Sequence, residues 1–226
     1  MRAKDFIKEI EPIRAQDYTL RGGNNLPYIT SRDISYGDDK TKEVLRKARQ
    51  FIPNFNISII QSPEDSYEKL AYISTNNKEI VGFIQFYDLI QYLQIRNVKV
   101  LPRARGNNLG VEGYKYLMKK YKKPVASDYT QTTASQKLWV RLASSPGVTV
   151  TGLLIIAKKL IPRYRNELAK MQAQPLNQWD TPSYTYFTFP ITKGSKVMKA
   201  ASSNKIKLYD PNGPEDVDIG LVAFMK

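Results

Sequence analysis

Apolar and polar positions alternate in several distinct rhythms along the chain. Val44, Leu45, Ala48 and Phe51 recur at a three/four spacing behind Asp38 and Asp39, either of which can cap a helix. That spacing predicts a helix over 40–51, closed by Pro53. Strand patterns follow at 57–61, 70–74 and 80–87, the last two flanking Asn76-Asn77-Lys78, a hairpin signature. Residues 93–101 read as a strictly alternating strand, with Leu93, Ile95, Asn97 and Lys99 on one face and Gln94, Arg96, Val98 and Val100 on the other. Pro102 ends it, and a basic Gly/Asn stretch leads into a helix over 110–121. That helix sets Val111, Tyr114, Met118 and Tyr121 against Lys115, Lys119 and Lys122. A short buried strand at 124–127 is followed by a helix that starts at Asp128 or Thr130, with Ala134, Leu138 and Leu142 as its apolar stripe. Gly147 stops that unit, and 148–157 is strand again.

The flanks are less regular. The opening MRAKDFIKEI interleaves charges with Phe6, Ile7 and Ile10, which predicts a short amphipathic helix and no signal peptide. Residues 11–37 are polar and turn-rich. A basic helix with Pro162 in its first turn is predicted over 158–172. The aromatics at 184–191 alternate as strand faces, and further strands are predicted at 205–209 and 219–225. The pattern divides into 1–56 leading in, a core at 57–157, and 158–226 completing or extending the sheet. The fold class is α/β (α+β): a mixed, mostly antiparallel central sheet flanked by helices.

Composition narrows the chemistry. Without His or Cys, the histidine- and thiol-based triads are excluded and the usual zinc ligands are missing, so no metal is expected. Acid–base work falls to Asp, Glu, Tyr, Lys or water. No apolar run approaches a membrane span, and the chain reads as cytoplasmic. The formal charge of +14 is concentrated: 96–123 carries nine bases and Glu112, and 137–170 carries seven bases and Glu167. Either the middle of the chain meets an anionic partner, or the surface is simply basic.

The informative unit is strand, then Arg103-Ala104-Arg105-Gly106-Asn107-Asn108-Leu109-Gly110, then helix. A helix start presents unpaired N–H groups and a partial positive charge. Small residues in front let backbone approach a ligand, and two arginines add charge-assisted bonds, so the unit suits a phosphate. The 105–110 segment, with 124–142 (PVASDYTQTTASQKLWVRL) behind it, resembles the GNAT superfamily of N-acetyltransferases over about residues 70–157. Ser127-Asp128, Gln131-Thr132 and Leu138-Trp139 are similar to an acetyltransferase-like subgroup common in bacteriophages. Arg105 and Gly110 match the superfamily's Arg/Gln-x-x-Gly-x-Gly/Ala loop, whereas Asn108 stands where its first Gly belongs. Asn is the residue best able to replace Gly at positive φ.

The resemblance implies a GNAT-like sheet and transfer of acetyl from acetyl-CoA to an amine by direct attack, with no covalent enzyme intermediate. It implies that Val98, Val100, Arg103, Arg105, Gly106, Asn107, Asn108, Leu109 and Gly110 hold the acetyl-CoA. Asp128 is the first candidate base and Asp88 the second; Asp128 also suits an N-cap. Trp139 occupies the position where the superfamily often has its acid Tyr, and it equally suits core packing; Tyr129 and Tyr121 lie near in sequence. Two other functions fit the same residues. One is a non-catalytic, phage-type structural or interaction protein. The other is a nucleic-acid binder using the basic middle segment, for which no recognised motif is present.

Overall fold

A computed structural model describes residues 39–62, 65–128, 133–191 and 217–226. The predicted N-terminal helix, the 11–37 loop and the 205–209 strand lie outside them. The chain forms two compact units, one of residues up to Phe83 with Lys99–Leu109, the other of Ile84–Val98 with Gly110–Lys226.

In the first unit, helix α1 spans Asp39–Lys47, with Asp39 in its first turn and Arg46 and Lys47 in its last, as the helix dipole favours. It buries Val44 in a cluster with Leu70, Tyr72, Ile80 and Phe83. The helix predicted over 40–51 stops here, because Arg49–Ile52 is strand β1, antiparallel to β2 (Phe55–Gln61). Phe51, which extends the helical spacing on paper, instead packs with Ile52 against the cluster of Ile73 and Val81. Pro53 and a left-handed Asn54 (φ 66°) make the turn. β2 pairs with β3 (Glu68–Thr75), which is buried from Leu70 through Ser74. The predicted hairpin into β4 (Ile80–Asp88) is present, its turn closed by Lys78 N–H donating to the Thr75 carbonyl.

Strand β4 continues into the second unit, followed by β5 (Leu93–Val100), α2 (Leu109–Tyr121), β6 (Val125–Ala126) and α3 (Thr133–Leu142). Then come β7 (Val148–Ala157), α4 (Ile161–Lys170), β8 (Gln174–Pro175), β9 (Tyr184–Phe189) and β10 (Val217–Met225). Hydrogen bonding orders the strands β1-β2-β3-β4 in the first unit and β4-β5-β6-β10-β7-β9-β8 in the second. The sheet is mixed and mostly antiparallel, with helices flanking it. β5 and β6 are parallel, as the strand–helix–strand pattern predicts. β10 runs antiparallel to both β6 and β7.

The residues between Asp128 and Thr133, where a cap of α3 would act, lie outside the described ones. One expectation for α3 changes. Its buried side chains are Trp139 and Leu142, while Ala134 is exposed, so the inward stripe is displaced from the predicted one. On α2, Tyr114, Leu117 and Met118 are buried, with Tyr114 against Trp139 at 5.7 Å between ring centres. Trp139 is therefore a core residue. A second apolar cluster joins Tyr92, Ala126, Leu153, Ile155, Trp179 and Val222. Trp179 stacks on Tyr92 at 5.2 Å. No helix among the described residues is long and apolar enough to cross a membrane.

Candidate active site

In the first unit, β5 ends where Leu101 N–H donates to the Val81 carbonyl, and Pro102–Ala104 makes one 3-10 turn. Ala104 and Leu109 are buried with Ile73 and Val81 and pin the segment at both ends. Between those anchors Arg105, Gly106, Asn107 and Asn108 are exposed, as is Arg103 before them. Gly106 has φ 93° and Asn108 φ 54°, both in the left-handed region. Asn thus adopts the conformation that its place in the motif demands. Arg103 pairs with Glu79. Arg105 donates from Nε to the Val100 carbonyl at 3.2 Å, and Asn107 donates from Nδ2 to the Ala104 carbonyl at 3.1 Å. Leu109, next in the chain, is already the first residue of α2.

In the second unit, the β5–β6 ladder is only two residues long: Leu93 opposite Val125 and Gln94 opposite Ala126. The chain keeps its pairing with β10 past Ala126. Ser127 N–H donates to the Leu221 carbonyl at 2.8 Å, and Leu221 N–H donates back to Ser127 Oγ at 3.0 Å. The ladder's register, continued, would set Arg96 beside Asp128. Their side chains meet at 2.8 Å, and the Arg96 guanidinium lies 5.3 Å over the Tyr87 ring.

β5 also departs from the strict alternation predicted for 93–101. Burial is unbroken from Leu93 through Ile95 and falls from Arg96 onward. Gln94 lines a cavity with Tyr92, and Val98 approaches Gly110 at the start of α2. A Cβ at Gly110 would meet the end of the Leu138 side chain, which would have to shift.

The candidate carboxylates are not brought together. Asp88, the last residue of β4, takes Lys123 Nζ at 2.7 Å, and the same ammonium donates to the Leu89 carbonyl at 2.8 Å. Asp128 lies past the end of the β5–β6 ladder with Arg96. Tyr121 stands near Asp88; burial first, and that carboxylate second, push its hydroxyl up to about 12. Burial alone pushes the Tyr114 hydroxyl up. Both stay protonated phenols at neutral pH, and neither is placed as a ready acid. Tyr129 lies outside the described residues. No three His, Cys, Asp or Glu side chains among the described residues form a group able to hold a metal.

Two residues of this region, Arg96 and Gln94, are strand positions without a site reading in the sequence patterns, and Ser127 enters there only through the resemblance. Gln94 and Ser127 are 6% and 5% exposed. They line a small cavity of about 10 Å³ with Tyr92, Ala126, Leu153, Ile155 and Gly220. The one signal available beforehand is a Gln between Leu93 and Ile95, polar inside an apolar strand.

No family model matches the chain, and no curated protein matches it. Among solved structures, it is similar to a GNAT family acetyltransferase from Elizabethkingia anophelis with acetyl-CoA bound. The two are 16% identical over 62% of this chain and 100% of that one, with a TM-score of 0.34. A nourseothricin acetyltransferase is 14% identical over 58% and 69%, TM-score 0.31. A Bacillus subtilis acetyltransferase in complex with CoA is 12% identical over 69% and 93%, TM-score 0.32.

Proposed function

We propose that the protein is an acyl-CoA-dependent N-acyltransferase that moves acetyl from acetyl-CoA to an amine by direct attack. One observation carries this reading. A parallel strand pair parts after a two-residue ladder, and the first of its strands runs on into a left-handed Gly/Asn turn and the start of a helix. Strands that part expose backbone N–H and C=O groups able to grip an extended amide-bearing chain such as pantetheine. The turn and the free N–H groups of the first helical turn suit its pyrophosphate.

In this reading the β5 backbone at Val98 and Val100 holds the pantetheine. Arg103, Arg105 and the backbone from Gly106 through Asn107, Asn108, Leu109 and Gly110 hold the pyrophosphate. The amine nitrogen attacks the thioester carbonyl, its proton passes to Asp128, and the C–S bond breaks to release the CoA thiolate. A thiol ionises at roughly 8.5, so its thiolate leaves with little help from an acid. This accounts for chemistry without a phenol where Trp139 is buried. Asp88 has no place in it, because its cation Lys123 also bonds the Leu89 carbonyl beside the β4–β5 turn, at the other end of the β5 ladder.

Calorimetry with acetyl-CoA tests the reading directly. The wild-type protein binds, and Arg105→Ala binds roughly 10- to 100-fold more weakly, the worth of one charge-assisted contact. An unchanged affinity would remove the loop from the site. No binding by the wild type would refute the acyltransferase reading.

A further inference from the structure

The two arginines of the 103–110 loop differ in what already holds them. Arg105 gives its Nε–H to the Val100 carbonyl, a neutral acceptor. Arg103 is held by the carboxylate of Glu79, 24 residues away in the chain. Both ends of that pair are fixed at the backbone. Glu79 closes the β3–β4 hairpin: its carbonyl accepts the Thr75 N–H at 2.8 Å, and its own N–H donates to Thr75 Oγ1 at 3.3 Å. Arg103 lies in the 3-10 turn Pro102–Ala104, which buried Ala104 anchors. The hairpin thus delivers one carboxylate to the loop whose composition suits a phosphate. The two side chains are 51% and 54% exposed, so the pair adds little to the stability of the fold.

A carboxylate and a phosphate offer a guanidinium the same kind of charged oxygen, so they compete for its N–H donors. We propose that Glu79 limits the affinity for acyl-CoA: its carboxylate occupies Arg103, and the pyrophosphate binds there only by displacing it. The inference rests on the acyltransferase reading, which gives Arg103 to the pyrophosphate, and adds to it a residue that opposes binding. The opposition has a use. Acetyl-CoA and the CoA product carry the same pyrophosphate, so a contact that holds one holds the other. Tight binding of both slows release of the product without lowering the barrier to transfer. A carboxylate that takes Arg103 back as CoA leaves keeps that contact weak. Arg105, opposed only by a neutral carbonyl, is left as the stronger of the two.

The test is a double-mutant cycle read by calorimetry with acetyl-CoA, on the wild type, Glu79→Gln, Arg103→Gln and the double variant. Gln keeps the shape of Glu and removes its charge, and both positions are exposed, so the fold is not at stake. Glu79→Gln binds acetyl-CoA about two- to fivefold more tightly, the worth of an exposed ion pair. In the Arg103→Gln background the same substitution changes affinity by less than about 1.5-fold, because the carboxylate acts through that guanidinium. S-acetylpantetheine, which lacks the pyrophosphate, binds the wild type and Glu79→Gln alike. Unchanged affinity of Glu79→Gln for acetyl-CoA overturns the proposal. Weaker binding overturns it too, since Glu79 would then orient Arg103 for the ligand. A gain that persists without Arg103, or that appears with S-acetylpantetheine, overturns it as a general effect of charge. Failure of the acyltransferase reading looks different: neither the wild type nor Glu79→Gln binds acetyl-CoA at all, and both conclusions fall together.

Discussion

The second unit holds two carboxylates that look alike in isolation. Asp88 and Asp128 have side chains 16% and 22% exposed, and each takes one cation at 2.7–2.8 Å. Their cations differ in what else they do. Lys123 also bonds the Leu89 carbonyl, so it closes the β4–β5 turn. Arg96 also lies over Tyr87. The backbone differs more. Beside Asp88 the strands are laced together, with Leu93 N–H on the Pro124 carbonyl at 2.9 Å and the ladder beginning at once. At Asp128 the ladder has ended, and side chains bridge where main-chain bonds have stopped. Burial and ion pairing alone thus do not tell the two carboxylates apart. Position relative to the ladder, not exposure, separates them.

The largest effect that tests this contrast is on turnover. Asn keeps the shape of Asp and removes its capacity to take a proton. Asp128→Asn is expected to slow CoA release by about 10²- to 10⁴-fold, the usual contribution of a general base. Asp88→Asn leaves the rate within about twofold. Steady-state kinetics at saturating acetyl-CoA measures both, and equal losses in the two variants would end the distinction.

Stability should rank the two sites the other way. Lys123→Met breaks a charge-assisted bond to Asp88 and a bond to Leu89, both part-buried. It should cost about 1–2 kcal/mol by urea denaturation. Arg96→Met breaks a more exposed pair, the Arg side chain being 37% accessible, and should cost under about 1 kcal/mol. A larger loss for Arg96→Met would mean that the opening depends on its bridge for stability.

The Asp88 end also carries a pH signature. The Tyr121 hydroxyl ionises at about 12 in the folded protein against an ordinary value of 10.0. A raised folded value means that the contribution is fully present below about pH 10 and is lost as pH climbs toward 12. Thermal melts between pH 9 and 11.5 should show a decline that Tyr121→Phe makes shallower, because Phe keeps the edge-on contact with Phe86 and has no proton to lose. Tyr114, buried likewise, keeps part of the slope in the variant. An unchanged slope would place Tyr121 in water.

What the sequence discloses follows from how local each cause is. The 148–157 strand, the 109–121 helix and the left-handed turn at Asn108 are written in neighbouring residues, and all three are legible. The strand at Arg49–Ile52 is not, because Phe51 continues a helical spacing and only its partners Ile73 and Val81 decide otherwise. The Arg96–Asp128 pair depends on the register between β5 and β6. The Gln94 cavity needs Ala126 and Gly220, residues drawn from three distant segments. Sequence therefore points to the loop at 105–110, and only the sheet discloses what stands beside the opening.

The smallest expected effect concerns that loop, where β5 leaves its ladder and the chain turns left-handed at Asn108 (φ 54°). Asn tolerates this region better than any other residue with a side chain, but glycine tolerates it without strain. Asn108→Gly removes that strain and adds freedom to the unfolded chain, two terms of opposite sign, so stability should move by less than about 0.5 kcal/mol. Asn108→Ala keeps a Cβ and loses the local hydrogen bonding that makes Asn tolerant, so it should cost about 1 kcal/mol. Acetyl-CoA affinity discriminates further. If only backbone at this position meets the pyrophosphate, Asn108→Gly clears the approach and calorimetry gives equal or few-fold tighter binding, while Asn108→Ala binds more weakly by the distortion it imposes. Weaker binding by Asn108→Gly at unchanged stability would mean that the Asn side chain itself touches the ligand. The left-handed turn would then be a means of aiming that amide, rather than of bringing the backbone close.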